Sequence, residues 1–166
     1  LENAIAHVDT VVHLAGLIKG SKKAFYKTNV EGAKNLSQLC AKYNINKLIY
    51  VSSLAAKGPL EKNEPVSYYG YTKRLAELEL LKNSHKYNLL ILRPPVIYGP
   101  QEQEVYIINV VLKASGVFFD KISEIRAQKW VCENIEFCND FNFEPKHDLF
   151  DGVYKTIRWY RQNGWL

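Results

Sequence analysis

Tyr69 and Lys73 stand four residues apart in "SYYGYTK", residues 67–73, so on a helix they share one face. The neighbouring tyrosines meet no base at that distance, because Tyr68 faces Thr72 and Tyr71 faces Leu75. A free tyrosine ionises near pH ~10 and is a poor base at neutrality. An ammonium group beside it favours the phenolate, and each pKa unit gained that way corresponds to about 1.4 kcal/mol. A helix N-terminus adds positive potential. A phenol held like this can pass a proton to or from a substrate hydroxyl or carbonyl. A serine hydroxyl can fix that oxygen and stabilise its charge, and Ser53 ends the apolar run "KLIYVSS" at 47–53. Hydride transfer lies beyond such side chains and requires a nicotinamide.

Spacing alone does not single out Tyr69. Tyr43 and Lys47 are also four apart, and 11 tyrosines with 17 lysines supply such a pair by chance. That second pair straddles Asn44-Ile45-Asn46, a helix-breaking stretch, so its members should not share a face. Position has to discriminate, and position depends on the surrounding elements.

The opening "LENAIAHVDTVVHLAG" reads as a helix end followed by a short apolar strand, Thr10 to Leu14. Such a run suits a parallel strand covered on both faces. Apolar spacings of three and four predict a helix over roughly 24–43, with Ala33, Leu36, Leu39, Cys40 and Tyr43 on one side. A second strand spans 47–53, and "AAKGPLEKNEPVS" follows as a loop. Ser67 is a suitable N-cap for a helix carrying Leu75, Leu78 and Leu81. A third strand, "NLLILRPP" at 88–95, stops at two prolines. Strands alternating with helices predict a parallel sheet with helices on both faces and right-handed crossovers. Ligands bind such sheets beyond the C-terminal strand ends, here "HLAG", "VSS" and "RPPVIYG". A helix is expected over 102–115, and Leu149, Val153, Ile157 and Tyr160 predict an amphipathic helix near the C-terminus.

Composition excludes several other classes. A chain of 166 residues, 47% hydrophobic and 23% charged, is globular. No apolar run reaches about 18 residues, and no basic-then-apolar leader is present, so no membrane association is expected. The net charge of +5 is scattered, which reads as a solvated surface and not a nucleic-acid face. Three widely spaced cysteines without a CxxC, and four histidines without ligand spacing, predict no metal site and no disulfide framework. Reduced thiols point to a cytoplasmic protein. The chain contains no methionine, so residue 1 is not expected to be a translation start.

"VDTVVHLAG", "NVEGAKNL", "KLIYVSS", "YGYTK" and "LRPPVIYGP" occur in this order, with Ser53, Tyr69 and Lys73 among them. Together they resemble the extended short-chain dehydrogenase/reductase family, which includes NAD-dependent sugar-nucleotide epimerases and dehydratases. The resemblance covers residues 1 to about 100. The segment from "EIRAQKWVC" to "GVYKTIRWYRQNGWL" also resembles the C-terminal end of some bacterial members. It implies an α/β fold, a partial Rossmann-type parallel sheet at 1–100, and a shortened substrate-binding region with a C-terminal helix at 101–166. It implies NAD or NADP as cofactor and a small-molecule substrate such as a nucleotide sugar, and it is compatible with a homo-oligomer.

Carried over by position, Tyr69 would be the general acid/base, and Lys73 would lower its pKa and bond the nicotinamide ribose. Ser53 would bind the reacting oxygen. Ala15 and Gly16 would pass close to the dinucleotide, with Asn29 near it. Pro94, Pro95 and Val96 would approach the nicotinamide amide. The family's GxxGxxG turn holds the pyrophosphate at a helix N-terminus, and the nine glycines of this chain never take that spacing. The acidic residue expected on the adenine ribose is likewise not found. The chain is therefore expected to be a shortened member, lacking the front half of the nucleotide fold and much of the substrate lobe, with a join near 115–120. Two functions follow: an NAD(P)-dependent epimerase, dehydratase or dehydrogenase, or a non-catalytic remnant that binds no cofactor by itself. The sheet edge beside Thr10 to Leu14 is expected to be covered by another segment or chain.

Overall fold

The computed structural model describes residues 1–97, 99, 100, 123, 124, 126–132 and 134–165. The expected helix over 102–115 and the join near 115–120 lie outside the described residues. The chain forms two compact units: Leu1–Pro95 with Asp120–Val131, and Val96–Phe119 with Cys132–Leu166.

The first unit holds a parallel sheet of three strands, β1 (Thr10–His13), β2 (Lys47–Val51) and β3 (Asn88–Leu92), in the order β1-β2-β3. Val11 pairs with Leu48, and Leu48 with Leu89. The helices are α1 (Glu2–Ile5), α2 (Lys22–Phe25), α3 (Gly32–Lys42), α4 (Leu54–Lys57) and α5 (Tyr68–Leu81). A π-helical turn, Tyr26–Glu31, joins α2 to α3, so the helix expected over 24–43 is one continuous coil with a widened turn in it. As expected, Tyr43 ends α3 and Lys47 opens β2, and the two share no helical face. Tyr43 instead donates to Glu2 Oε1.

The core follows from two periodicities. Ile5, Ala33, Leu36, Cys40, Ala76 and Leu80 of α1, α3 and α5 pack on Leu48 and Tyr50, with Val11, Leu89 and Ile91 beside them. Alternation along the strands turns Val12, Ile49, Val51, Leu90 and Leu92 to the opposite face, and none of these is buried. The described helices of this unit thus gather on one face, where the alternation predicted both. Strand order explains the difference. When strands are laid down in sequence in one direction, right-handed crossovers place consecutive helices on the same side.

β1 is exposed rather than doubly covered, with Val12 54% and Leu14 68% accessible. Among the described residues it pairs with β2 alone. The cover expected for this edge is therefore not supplied by the described part of the chain.

In the second unit, α6 (Ile135–Phe141) ends at Asn142 in the left-handed region, φ 48°. α7 (Leu149–Gln162) starts where the Asp148 carboxylate accepts from Asp151 N. Thr156 and Tyr160 are its buried residues, and Trp159, Tyr160 and Trp165 stack within 5.2–5.8 Å. The terminal amphipathic helix is therefore present where its spacing predicts it.

An unpaired apolar edge strand templates association. Val12→Lys is expected to shift the chain towards monomer in light scattering, with unfolding free energy changed by less than about 0.5 kcal/mol. Unchanged self-association would show that this edge is not the adhesive surface.

Candidate active site

The strand ends of the first unit meet the first turns of α5, and the polar side chains there tie them together. The Ser67 side chain caps α5, accepting from Gly70 N at 2.9 Å, and its hydroxyl donates to the Glu124 carboxylate. Tyr69 follows in the first turn, half-buried, with its ring 6.4 Å from that of Phe25. Gly70 is where α5 touches α4. A Cβ there would fall 2.9 Å from the Ala55 carbonyl carbon and closer still to its oxygen. Ser53 caps α4, its Oγ accepting from Ala55 N at 3.2 Å. The turn bearing the serine and the turn bearing the tyrosine are therefore packed backbone on backbone.

Lys73 lies one turn further along, 3% exposed. Its Nζ donates to the Val51 carbonyl at 2.9 Å and sits 4.4 Å from the centre of the Tyr50 ring. Burial lowers its pKa from the ordinary lysine value to about 8, while Glu77 pulls the other way. Burial pushes the Tyr50 phenol well above the usual tyrosine range. His13 stacks on Tyr50 at 5.4 Å, and burial, with Lys73 nearby, holds its imidazole below the ordinary value.

Asn29 is 2% exposed and binds the loop after β1 on both of its backbone groups. Its Oδ1 accepts from Leu17 N at 2.7 Å and its Nδ2 donates to Leu17 O at 3.1 Å. The same Nδ2 donates to Thr72 Oγ1 at 3.0 Å, which fastens that loop to α5. Gly16 is thereby held where a Cβ would stand 3.5 Å from Asn29 Oδ1 and 3.6 Å from Lys73 Nζ. Behind the site, Arg93 Nε and Nη2 donate to both oxygens of Glu77 at 2.9 and 2.7 Å. Ser52 Oγ donates to Glu77 Oε1 at 2.5 Å.

The structure gathers most residues singled out by sequence. Gly16, Asn29 and Lys73 are in mutual reach, Lys73 reaches the end of β2 two residues before Ser53, and Leu54 N donates to the Pro94 carbonyl at 2.9 Å. Ala15 is exposed next to Gly16, Pro95 is exposed, and Val96 lies in the second unit. Sequence reasoning passed over Thr72, Ser52, Glu77 and Arg93. For Glu77 a signal existed, since it stands four residues after Lys73 between apolar neighbours. Arg93 was legible only as a charge closing an apolar strand.

The sequence profile of the NAD dependent epimerase/dehydratase family matches residues 1–138. The chain belongs to this family. Human sterol-4-alpha-carboxylate 3-dehydrogenase, decarboxylating, is 32% identical over 129 residues, covering 68% of this chain and 35% of that protein. An Escherichia coli O157:H7 N-acetyl-alpha-D-glucosaminyl-diphospho-ditrans,octacis-undecaprenol 4-epimerase is 30% identical over 156 residues, covering 82% and 46%. The chain thus spans between a third and a half of these two relatives. Among solved structures, dTDP-glucose 4,6-dehydratase from Streptomyces venezuelae with NAD and TYD bound superposes with a TM-score of 0.75 at 17% identity, covering 99% of this chain and 78% of that one. The Bacillus anthracis dTDP-glucose 4,6-dehydratase in complex with NAD gives 0.72 at 20%, covering 99% and 77%. These superpositions establish a Rossmann-type α/β fold.

The buried ammonium makes a pH-dependent stability. The Lys73 pKa is about 8 in the folded chain and near 10.5 when free, so the folded state binds the proton less tightly. Below pH 8 the buried charge costs stability in full. Between pH 8 and 10.5 the folded chain sheds it while the unfolded chain keeps it, and up to about 3 kcal/mol returns. The stability of wild type relative to Lys73→Met should therefore rise by that amount over this interval in denaturant titrations. A flat difference would refute the suppressed charge.

Proposed function

We propose that the site performs proton transfer at a hydroxyl or carbonyl oxygen of a small substrate, working beside NAD. The observation that carries this reading is the placement of Lys73, whose buried ammonium lies between the ends of β1 and β2, on the face of α5 that begins at Tyr69. Tyr69 would exchange the proton with the substrate oxygen, helped by the ammonium one turn away. The Ser53 oxygen already accepts from Ala55 N, and its hydrogen is left to donate to the same substrate oxygen. Ser52 is spent on Glu77, which favours Ser53 for this role.

The residues fit the nicotinamide end of the cofactor. Gly16, exposed next to exposed Ala15, lies close to Lys73, whose ammonium has two further N–H groups beyond its bond to Val51. NAD when bound supplies the hydride acceptor. For the pyrophosphate these residues offer no GxxGxxG turn. The substrate class favoured by the relatives is a polyprenyl-linked sugar or a 3-hydroxysteroid, and by the similar solved structures a nucleotide sugar, each with an oxidisable secondary alcohol. A cytoplasmic location and a homo-oligomer belong to this proposal too.

A second reading has its own support. The exposed sheet face and the β1 edge without a second strand among the described residues, with no GxxGxxG spacing in the sequence, suit a module that keeps the triad but holds no cofactor by itself.

Calorimetry with NAD and NADP separates the two. The first reading expects binding of this chain tighter than millimolar, weakened by Lys73→Met; millimolar or absent binding favours the second. Where NAD-linked turnover is measurable, Tyr69→Phe should reduce it by about 10²-fold or more with NAD affinity retained. Turnover preserved within about two-fold in Tyr69→Phe would end the acid/base assignment.

A further inference from the structure

Two side chains of opposite charge share the buried face of α5. Lys73 and Glu77 are one helical turn apart, and each is 3% exposed. The acid/base reading uses the first and leaves the second unexplained. Glu77 is held by three hydrogen bonds, two from the Arg93 guanidinium and one from Ser52. Ser52 N also donates to Leu92 O at 2.7 Å, and Leu54 N to Pro94 O at 2.9 Å. The trio therefore bridges the ends of β2 and β3 to α5. Apolar side chains of similar volume could knit these elements at no loss, and often with a gain. Glu77 is buried although the Arg93 side chain is 44% accessible, so the carboxylate is carried inward beside Lys73, and that calls for an electrostatic reason.

We propose that Glu77, clamped by Arg93 and Ser52, is a positioning residue that keeps Lys73 an ammonium ion at the strand ends, which rests on the reading of Lys73 as the cation of the site. The groups facing Lys73 can be taken element by element. β1 presents His13, held neutral by burial and by Lys73 itself. β2 presents the Tyr50 ring and the Val51 carbonyl. The π-helical turn presents Asn29, which is uncharged. From its own helix come Tyr69 and Glu77, and from the end of β3 comes Arg93, which acts through Glu77. Among these, Glu77 is the carboxylate. Burial draws Lys73 towards the neutral amine and Glu77 opposes it. Removing that carboxylate also leaves the Arg93 charge uncompensated, so both changes push Lys73 the same way. A neutral amine gives no help to a phenolate at Tyr69.

The test follows the Lys73 ammonium itself, in the chain labelled with [ε-13C]lysine and titrated by NMR, the resonance being assigned by its loss in Lys73→Met. The wild-type midpoint is expected near 8. Glu77→Gln should lower it by about one pH unit or more, and Glu77→Asp, which keeps the charge, should leave it close to wild type. Arg93→Gln should move it upwards. A Lys73 midpoint unchanged in folded Glu77→Gln would overturn the inference. Should Glu77→Gln fail to fold, Arg93→Gln decides by the direction of its shift. Failure of both to fold would also overturn it, since the trio would then be holding the fold and not the charge. The readout needs neither cofactor nor turnover, so an inert Tyr69 would sink the proposed function and leave this result standing.

Discussion

The interaction on which the first unit depends is the burial of one ammonium group against the end of a strand. Lys73 is a long, costly side chain to desolvate, and helices normally let such a group reach water. Here α5 lies with Lys73 and Glu77 inward, and the sheet must answer the ammonium charge. The Val51 carbonyl, the face of Tyr50 and the Glu77 carboxylate do so from different directions. Each partner then needs partners of its own. Tyr50 rests on His13, Glu77 on Arg93 and Ser52, and Thr72 on Asn29, which in turn holds the loop after β1. The polar order of the site radiates from that one buried charge.

Much of this was legible in the chain itself, for reasons that can be traced residue by residue. Period-two alternation in "KLIYV" marks a strand, and the burial of Leu48 and Tyr50 follows from it. Ser67 advertised its helix because a hydroxyl before an uncapped first turn has a backbone N–H to bond. The pairing of Tyr69 with Lys73 was legible through position, since strand ends on either side bracket it. Burial depth was not legible. An apolar run such as "TVVHL" carries no statement of what lies beside it, and among the described residues β1 pairs with β2 alone and leaves Val12 exposed. Glu77 and Arg93 escaped because a pair separated by 16 residues becomes a pair only when β3 is laid beside β2.

The one-sided placement of the helices has a geometric origin that bears on the family relationship. Strands added in one direction with right-handed crossovers keep their helices on one side, so a sheet built this way acquires its second layer only from strands added in the other direction. Among the described residues the three strands form a sheet covered on one face, and the chain spans between a third and a half of its two sequence relatives. The bonds of Lys73, Glu77 and Asn29 run between α5, the π-helical turn, the loop after β1 and the strand ends, on the side that the helices cover.

Gly70 carries a consequence for motion. The missing side chain lets the first turn of α5 press against the Ala55 carbonyl, leaving no space for even a methyl group. The serine turn and the tyrosine turn therefore have no play between them. Thermal fluctuation can carry the pair as a unit for as long as the Gly70–Ala55 contact holds. On heating, the distance between the two hydroxyl-bearing side chains should be the last dimension of this site to blur, long after the strand edge has begun to fray.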